Sequence, residues 1–215
     1  MNKQNSIIFV VEDDPAMRVS LESLFQSVGH SVMPFKSTHD YQQAERPDLP
    51  ACLVLDVRLP SQSGLEFQRE LGRSSNPPPI VFITGYGDVP MSVAAMKAGA
   101  IEFLTKPFRD QDLLDGVHRA IEFDRARRSE AAKLAELRKC AAMMTPRERE
   151  ILPLVAAGQM NKQIAHKLQL SEVTVKVHRA QVMQKLRAKS VADLVRISDR
   201  LAAAERESKT EDTRV

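Results

Sequence analysis

The chain has 215 residues, 43% hydrophobic and 27% charged, which excludes a disordered polymer and suits one large domain or two small ones. No apolar run approaches the ~20 residues that span a bilayer, and residues 1–6 carry no signal-peptide pattern, so a cytoplasmic protein is expected. The formal charge of +3 is unevenly divided: residues 1–124 hold 11 Lys+Arg and 17 Asp+Glu, residues 125–215 hold 20 and 11. A net −6 followed by a net +9 implies two domains, the basic one a candidate for nucleic acid. Cys52 and Cys140 stand far apart with no metal-type spacing and read as structural thiols in a reducing compartment.

The first half alternates strand-like and helix-like segments. Residues 7–11 (Ile-Ile-Phe-Val-Val) form a β-rich run that stops at acids; Met17, Leu21, Leu24, Phe25 and Val28 make a helical stripe ending at Gly29. Residues 32–35 read as a second strand, 38–45 as a weak polar helix, 52–55 as a third strand and 65–71 as a helix. Residues 80–83 and 101–104 complete five strands, with helices at 91–98 and from Asp110 onward. Five βα units in about 120 residues imply a parallel sheet covered on both faces, doubly wound because its crossovers are right-handed.

The residues just beyond the strands carry the chemistry. Glu12-Asp13-Asp14 come after the first, Asp56 after the third, Thr84-Gly85 after the fourth and Thr105-Lys106-Pro107 after the fifth. In open α/β sheets functional groups gather at the carboxyl ends of the strands. Taken singly, each of these is an ordinary turn or cap residue; together they converge. Three carboxylates repel one another unless a cation joins them, and oxygen ligands without His or Cys favour Mg²⁺. A lysine and a hydroxyl beside such a metal make a pocket for a phosphoryl group, which acts by positioning and charge neutralisation.

These residues closely resemble the bacterial two-component response regulators over residues 5–124. Residues 10–14 (Val-Val-Glu-Asp-Asp) resemble that family's acidic start, and 55–60 (Leu-Asp-Val-Arg-Leu-Pro) with Gly64 its phosphoacceptor loop. Residues 83–85 (Ile-Thr-Gly) and 103–108 (Phe-Leu-Thr-Lys-Pro-Phe) complete the set. The resemblance implies a flavodoxin-like (βα)5 receiver in which Asp56 accepts a phosphoryl group from a sensor histidine kinase. Glu12, Asp13, Asp56 and the backbone carbonyl of Arg58 would hold Mg²⁺. Thr84 would bond the phosphoryl oxygens, Lys106 would pair with them, Phe103 would act as an aromatic switch, and Lys106–Pro107 would be cis. The first acid is Glu12 where Asp is more usual, and a third acid, Asp14, comes after the pair; Glu12 and Asp13 are aligned as the metal ligands.

Residues 123–140 are charged, without Pro or Gly, and read as a helical linker, placed at 125–142. Thr145, Pro146 and Glu148 form a capping box opening a helix through Ile151, Leu152 and Val155 that Pro153 is expected to bend and Gly158 to stop. Asn161 is expected to cap a short helix through Leu168, and Ser171 a longer one from Glu172 to Leu186. On the latter, Val175, Val182 and Leu186 share a buried face, while Val173, Val177, Ala180 and Gln184, flanked by Lys176 and Gln181, face outward. Small and polar side chains flanked by bases suit the major groove; a helical bundle that binds protein, or a solvated basic helix, fits the pattern equally well.

Residues 145–150, 161–165 and 174–179 resemble a LuxR-type, FixJ-like helix-turn-helix output domain, and residues 85–91 support the FixJ-like branch. That resemblance implies double-stranded DNA as partner, a domain at 143–202 with its helix-turn-helix near 161–180, and Lys162 on the DNA backbone. Thr174, Lys176, Val177, Ala180, Gln181 and Gln184 would lie at the groove, with Arg179 in a phosphate or structural contact. Val191, Leu194 and Val195 would form a dimer helix. Residues 203–215, charged and low in apolar side chains, are expected to be a disordered tail. The whole reads as a transcription factor that dimerises on phosphorylation and engages RNA polymerase, and not as an enzyme. An aspartyl-phosphate hydrolase would want an acid two residues after its nucleophile, where Arg58 stands, and a constitutive binder would not need the acid, Thr and Lys set.

Overall fold

The computed structural model describes residues 6–74 and 76–212, with the side chains of 205 and 207–212 left aside. The chain divides into two compact units, Met1–Arg128 and Ser129–Val215.

In the first unit the order is β1 (Ile7–Val11), α1 (Pro15–Ser27), β2 (Ser31–Phe35), α2 (Thr38–Gln43), β3 (Ala51–Asp56), α3 (Gly64–Leu71), β4 (Ile80–Thr84), α4 (Val89–Lys97), β5 (Glu102–Thr105) and the start of α5 (Asp110–Ala142). All strand pairs are parallel, in the spatial order β2-β1-β3-β4-β5. Every residue of β1, β3 and β4 is buried, as expected for central strands covered on both faces. Alternation sorts them: Phe9, Val11, Leu53, Leu55 and Phe82 pack with Tyr41, Phe67 and Leu71, whereas Ile8, Val10, Cys52, Val54, Val81 and Ile83 pack with Leu21, Phe25, Leu113 and Val117. Pro34 sits in the edge strand β2, where its missing N–H costs no ladder bond. The fold is the doubly wound α/β architecture expected.

The second unit contains the last part of α5 and helices α6 (Pro146–Ala156), α7 (Asn161–Leu168), α8 (Glu172–Lys185) and α9 (Val191–Asp212). Ile151, Val155, Ile164, Val175, Val182, Leu186, Leu194 and Ile197 form its core, joined by Cys140 and Leu201. α6 continues through Pro153 to Ala156 although that residue cannot donate to the preceding turn.

Two expectations are corrected. Asn161 is not the cap of α7: Met160 holds the cap position, with its N–H bonded to Gln163 Oε1 at 2.8 Å, and Asn161 accepts from Arg179 instead. Nor does the ordered chain end at 202. α9 runs to Asp212, because Leu201 and Ala204 extend the buried stripe of Leu194 and Ile197, and Arg138 donates to the Ala204 carbonyl at 3.2 Å. The run Ala202-Ala203-Ala204 also has the highest intrinsic helix propensity. Residues 213–215 of the expected tail lie outside the described residues.

Candidate phosphoryl site and nucleic-acid interface

The carboxyl ends of β1, β3, β4 and β5 bring Glu12, Asp56, Thr84 and Lys106 together. Glu12 is 1% exposed, Asp56 6% and Thr84 fully buried. Glu12 comes directly after β1, its N–H donating to the Phe35 carbonyl at 3.2 Å. Arg18 on α1 reaches back to the carbonyls of Glu12 and Asp13 at 2.7 and 3.2 Å and fixes the acidic loop. Asp14 turns away from the cluster to cap α1, accepting from Met17 N at 2.8 Å. Lys106 Nζ bridges Asp56 Oδ2 at 2.7 Å and Glu12 Oε2 at 2.8 Å, and its own N–H donates to the Thr84 carbonyl at 2.7 Å. The Lys106–Pro107 peptide is cis, as the resemblance implied.

This packing sets the electrostatics. Burial and the neighbouring Asp56 push the Glu12 carboxyl above its ordinary range, and the Lys106 hydrogen bond only partly offsets them. Burial works against a charged Lys106, yet its bonds to Asp56 and Glu12 outweigh it and raise its pKa. Glu12, Asp13 and Asp56 each place one oxygen within 4.8 Å of the others, with Asp13 exposed. Three hard oxygen donors opening to water fit Mg²⁺, which keeps several waters and takes few carboxylates.

Around the acids, Arg58 N–H donates to Asp56 Oδ1 at 2.9 Å and Tyr86 N–H to Thr84 Oγ1 at 3.3 Å. Phe103 is half-buried, its ring 6.1 Å from that of Phe82. Gly87 lies against it: a Cβ there would stand 2.9 Å from Phe103 Cε1 and 2.8 Å from Thr105 Cγ2.

In the helical unit, Ser171 caps α8 by accepting from Thr174 N at 3.0 Å, and the Thr174 hydroxyl shares a hydrogen bond with Ser171 Oγ. Lys176, Val177, Ala180, Gln181 and Gln184 are exposed along α8, as is Lys162 in the first turn of α7. Val175 and Val182 are buried on the opposite face.

Comparison with known proteins agrees with both halves. Residues 8–118 match the response regulator receiver domain, and 142–198 the luxR family of bacterial regulatory proteins. Nodulation protein W of Bradyrhizobium diazoefficiens is 52% identical over 210 residues, covering 98% of this chain and 92% of its own. The chain is a response regulator with a LuxR-type DNA-binding domain. Transcriptional regulatory protein FixJ of the same species is 40% identical, covering 90% of this regulator and 94% of its own chain. The solved response regulator StyR is 45% identical, with a TM-score of 0.81 over 91% of this chain and 98% of its own. The regulator thus belongs with two-component transcription regulators and not with conventional enzymes. Among its described residues no helix is long and apolar enough to cross a membrane.

Some site residues of the regulator lie elsewhere than expected, and others carry no signal in the sequence. Leu194 is fully buried in the output domain's own core, so it is not available to a second copy; Val191 is exposed and Val195 half-exposed. Arg179 Nη1 donates to Asn161 Oδ1 at 2.8 Å, tying α8 to the start of α7. Asp124 is fully buried, accepting from Ala51 N at 2.9 Å, Arg128 Nε at 2.7 Å and Arg127. Local patterning does not reveal it, because Ala51 lies 73 residues away.

Glu148 completes the capping box with Thr145 N at 2.7 Å and also accepts from Lys185 Nζ at 2.7 Å. Burial would raise its pKa, but the Lys185 and Thr145 bonds prevail and hold it below the usual carboxylate range. A lowered native pKa stabilises above the unfolded value of about 4.3 and is lost as pH falls through the native one. Glu148→Gln is therefore expected to destabilise the output domain at pH 7 by about 1–2 kcal/mol, with the difference closing as the pH falls below the unfolded value and through the native one. Thermal melts of both proteins across that range test it, and a constant gap contradicts it.

Proposed function

We propose that Asp56 accepts a phosphoryl group from the phosphohistidine of a sensor kinase, and that this modification promotes homodimerisation and DNA binding in the bacterial cytoplasm. The observation that carries the reading is the convergence of Glu12, Asp13, Asp56, Thr84 and Lys106 at four strand ends. A carboxylate oxygen of Asp56 forms the new bond to phosphorus as the P–N bond to histidine breaks and the electron pair returns to the imidazole. Lys106, 2.7 Å from Asp56 Oδ2, neutralises charge on the transferring group. Thr84 Oγ1 accepts from Tyr86 N–H and keeps its own proton to donate to a phosphoryl oxygen. Glu12, Asp13, Asp56 and the Arg58 carbonyl would hold Mg²⁺, which when bound supplies further charge neutralisation. Phe103, half-buried beside Thr84, would turn inward as Thr84 moves. No independent turnover of a substrate is expected, since position 58 holds an arginine in place of a second acid.

At the other end, Thr174, Lys176, Val177, Ala180, Gln181 and Gln184 would meet the major groove and Lys162 a phosphate. Arg179, engaged with Asn161, serves the fold of the reader. Val191 and Val195 present the apolar edge of α9 for a dimer, and RNA polymerase is the expected further partner. Residues 143–198 hold 10 Lys+Arg against 4 Asp+Glu. That excess predicts DNA affinity falling by about 10³-fold or more between 50 and 200 mM salt, if six or more phosphates are neutralised. Affinity measured across that range, with and without a small phosphodonor, tests both halves. Equal affinity in the two states would leave a constitutive binder.

A further inference from the structure

Within the output domain, the end of α5, the body of α6 and the middle of α9 enclose an open cleft of about 440 Å³. That volume falls in the range of about 300–1,000 Å³ usual for small-molecule sites. Its floor is apolar and belongs to the core, since Met144, Leu152 and Leu201 are all buried and line it. The room above them comes from small residues. Ala141 and Ala142 on α5 line the cleft together with Ala202 on α9, and side chains that end at Cβ leave a space that leucines would close.

The rim carries charge of one sign. Arg138 and Arg149 line the cleft, and among the described residues no Asp or Glu does. Neither arginine forms an ion pair with a described residue. Each donates instead to a backbone carbonyl, Arg138 Nη2 to that of Ala204 at 3.2 Å and Arg149 Nη2 to that of Ala142 at 3.1 Å. Elsewhere in the same domain the pattern is the opposite: Arg147, Arg187, Arg196 and Arg200 each reach a carboxylate. A guanidinium has five N–H donors, so one carbonyl leaves most of each fork unused. Ser198, half-exposed, adds a hydroxyl to the same lining. Two arginines without a counter-charge, set over an apolar floor, select against cations and favour an anion with an apolar body.

We infer that this cleft binds one amphipathic organic anion, a small carboxylate carried on an aliphatic or aromatic body. The carboxylate takes N–H donors from Arg138 and Arg149 and the hydroxyl of Ser198, while the body lies over Met144, Leu152 and Leu201. Burial of apolar surface supplies affinity, and the charge-assisted hydrogen bonds supply the choice of an anion. Such a ligand touches α5, α6 and α9 at once and meets this arrangement only in the folded domain, so it stabilises the DNA reader by mass action. The site uses none of the residues around Asp56. It therefore gives the output domain a chemical input separate from phosphorylation.

The test is calorimetric titration of the full chain with decanoate and, separately, with 1-naphthoate, alongside uncharged 1-decanol. At least one of the two acids is expected to bind saturably, one per chain, and 1-decanol at least ten-fold more weakly than decanoate. Arg138→Ala and Arg149→Ala each weaken the acid about five-fold; both side chains are exposed, so the variants keep the core. Ala202→Trp, at an exposed position on α9, fills the cleft and abolishes binding. Thermal melts give a second readout: the bound acid at ten times its Kd raises the melting temperature of the parent by about 5 °C and leaves that of Ala202→Trp unmoved. No saturable binding of either acid to the parent overturns the site. Binding that survives both arginine variants and Ala202→Trp places the acid elsewhere and overturns it too, and 1-decanol bound as tightly as decanoate overturns the anionic class.

Discussion

Asp56→Asn abolishes labelling by a small phosphodonor and, with it, any phosphodonor-dependent gain in DNA affinity. The substitution is nearly isosteric, and the amide oxygen can still accept from Arg58 N–H as Asp56 Oδ1 does at 2.9 Å. What it removes is the anionic nucleophile and one of the two carboxylates that hold Lys106. Because the fold depends on β3 burying its apolar residues and not on this side chain, the variant is expected to melt as a folded protein. Mass spectrometry of the intact chain reads the result directly: a phosphoryl adduct on the parent and none on the variant. An adduct of equal abundance on both would move the acceptor elsewhere.

The second large effect is expected at Gly64, which opens α3. A Cβ built there would stand 2.5 Å from the Asp56 carbonyl oxygen and 3.0 Å from Val57 Cα. Both are backbone atoms, so no side chain can swing aside to relieve the clash. The same residue donates its N–H to the Val57 carbonyl at 2.9 Å, drawing α3 against the loop that carries the acceptor. Gly64→Ala must therefore push that loop outward. Overpacking of this kind costs about 1–3 kcal/mol, and displacement of a reacting group by ~1 Å can slow its chemistry about 100-fold. Urea denaturation is expected to show a lowered midpoint, and phosphodonor labelling a rate reduced at least ten-fold beside it. Parental stability together with parental labelling would show that the helix and loop separate without consequence.

The sheet and both its faces were legible because β1, β3 and β4 are short apolar runs broken by acids, Thr or Gly, and because the helices between them keep a 3.6-residue stripe. The acid cluster was legible for a topological reason: parallel strands deliver the residues beyond them to one edge. Of the three consecutive acids, Asp14 is set apart by capping α1, which leaves Glu12 and the exposed Asp13 as the pair beside Asp56. The end of α9 departs from expectation because residues from 203 onward look solvated in composition, while the burial of Leu201 and Ala204 depends on packing in the output domain. Asn161 and Leu194 depart similarly: each has the right residue type at a plausible place, and each is engaged by a distant partner. Contacts such as Arg58 with Tyr86, or Asp124 with Ala51, join segments 28 and 73 residues apart and have no local pattern to announce them.

The length of α9 bears on how this regulator is dissected. The luxR-family match ends at residue 198, before Leu201, and begins at 142, after Leu137, Cys140 and Ala141. A fragment trimmed to those limits discards apolar side chains that Ile197 and its neighbours pack against, and removes Leu201 from the cleft it lines with Met144 and Leu152. Such a fragment would aggregate or melt early for reasons unrelated to regulation. Cutting instead just after Arg128 keeps Leu137 and Leu201 facing the same interior, and gives a DNA reader whose behaviour can be compared with that of the whole chain.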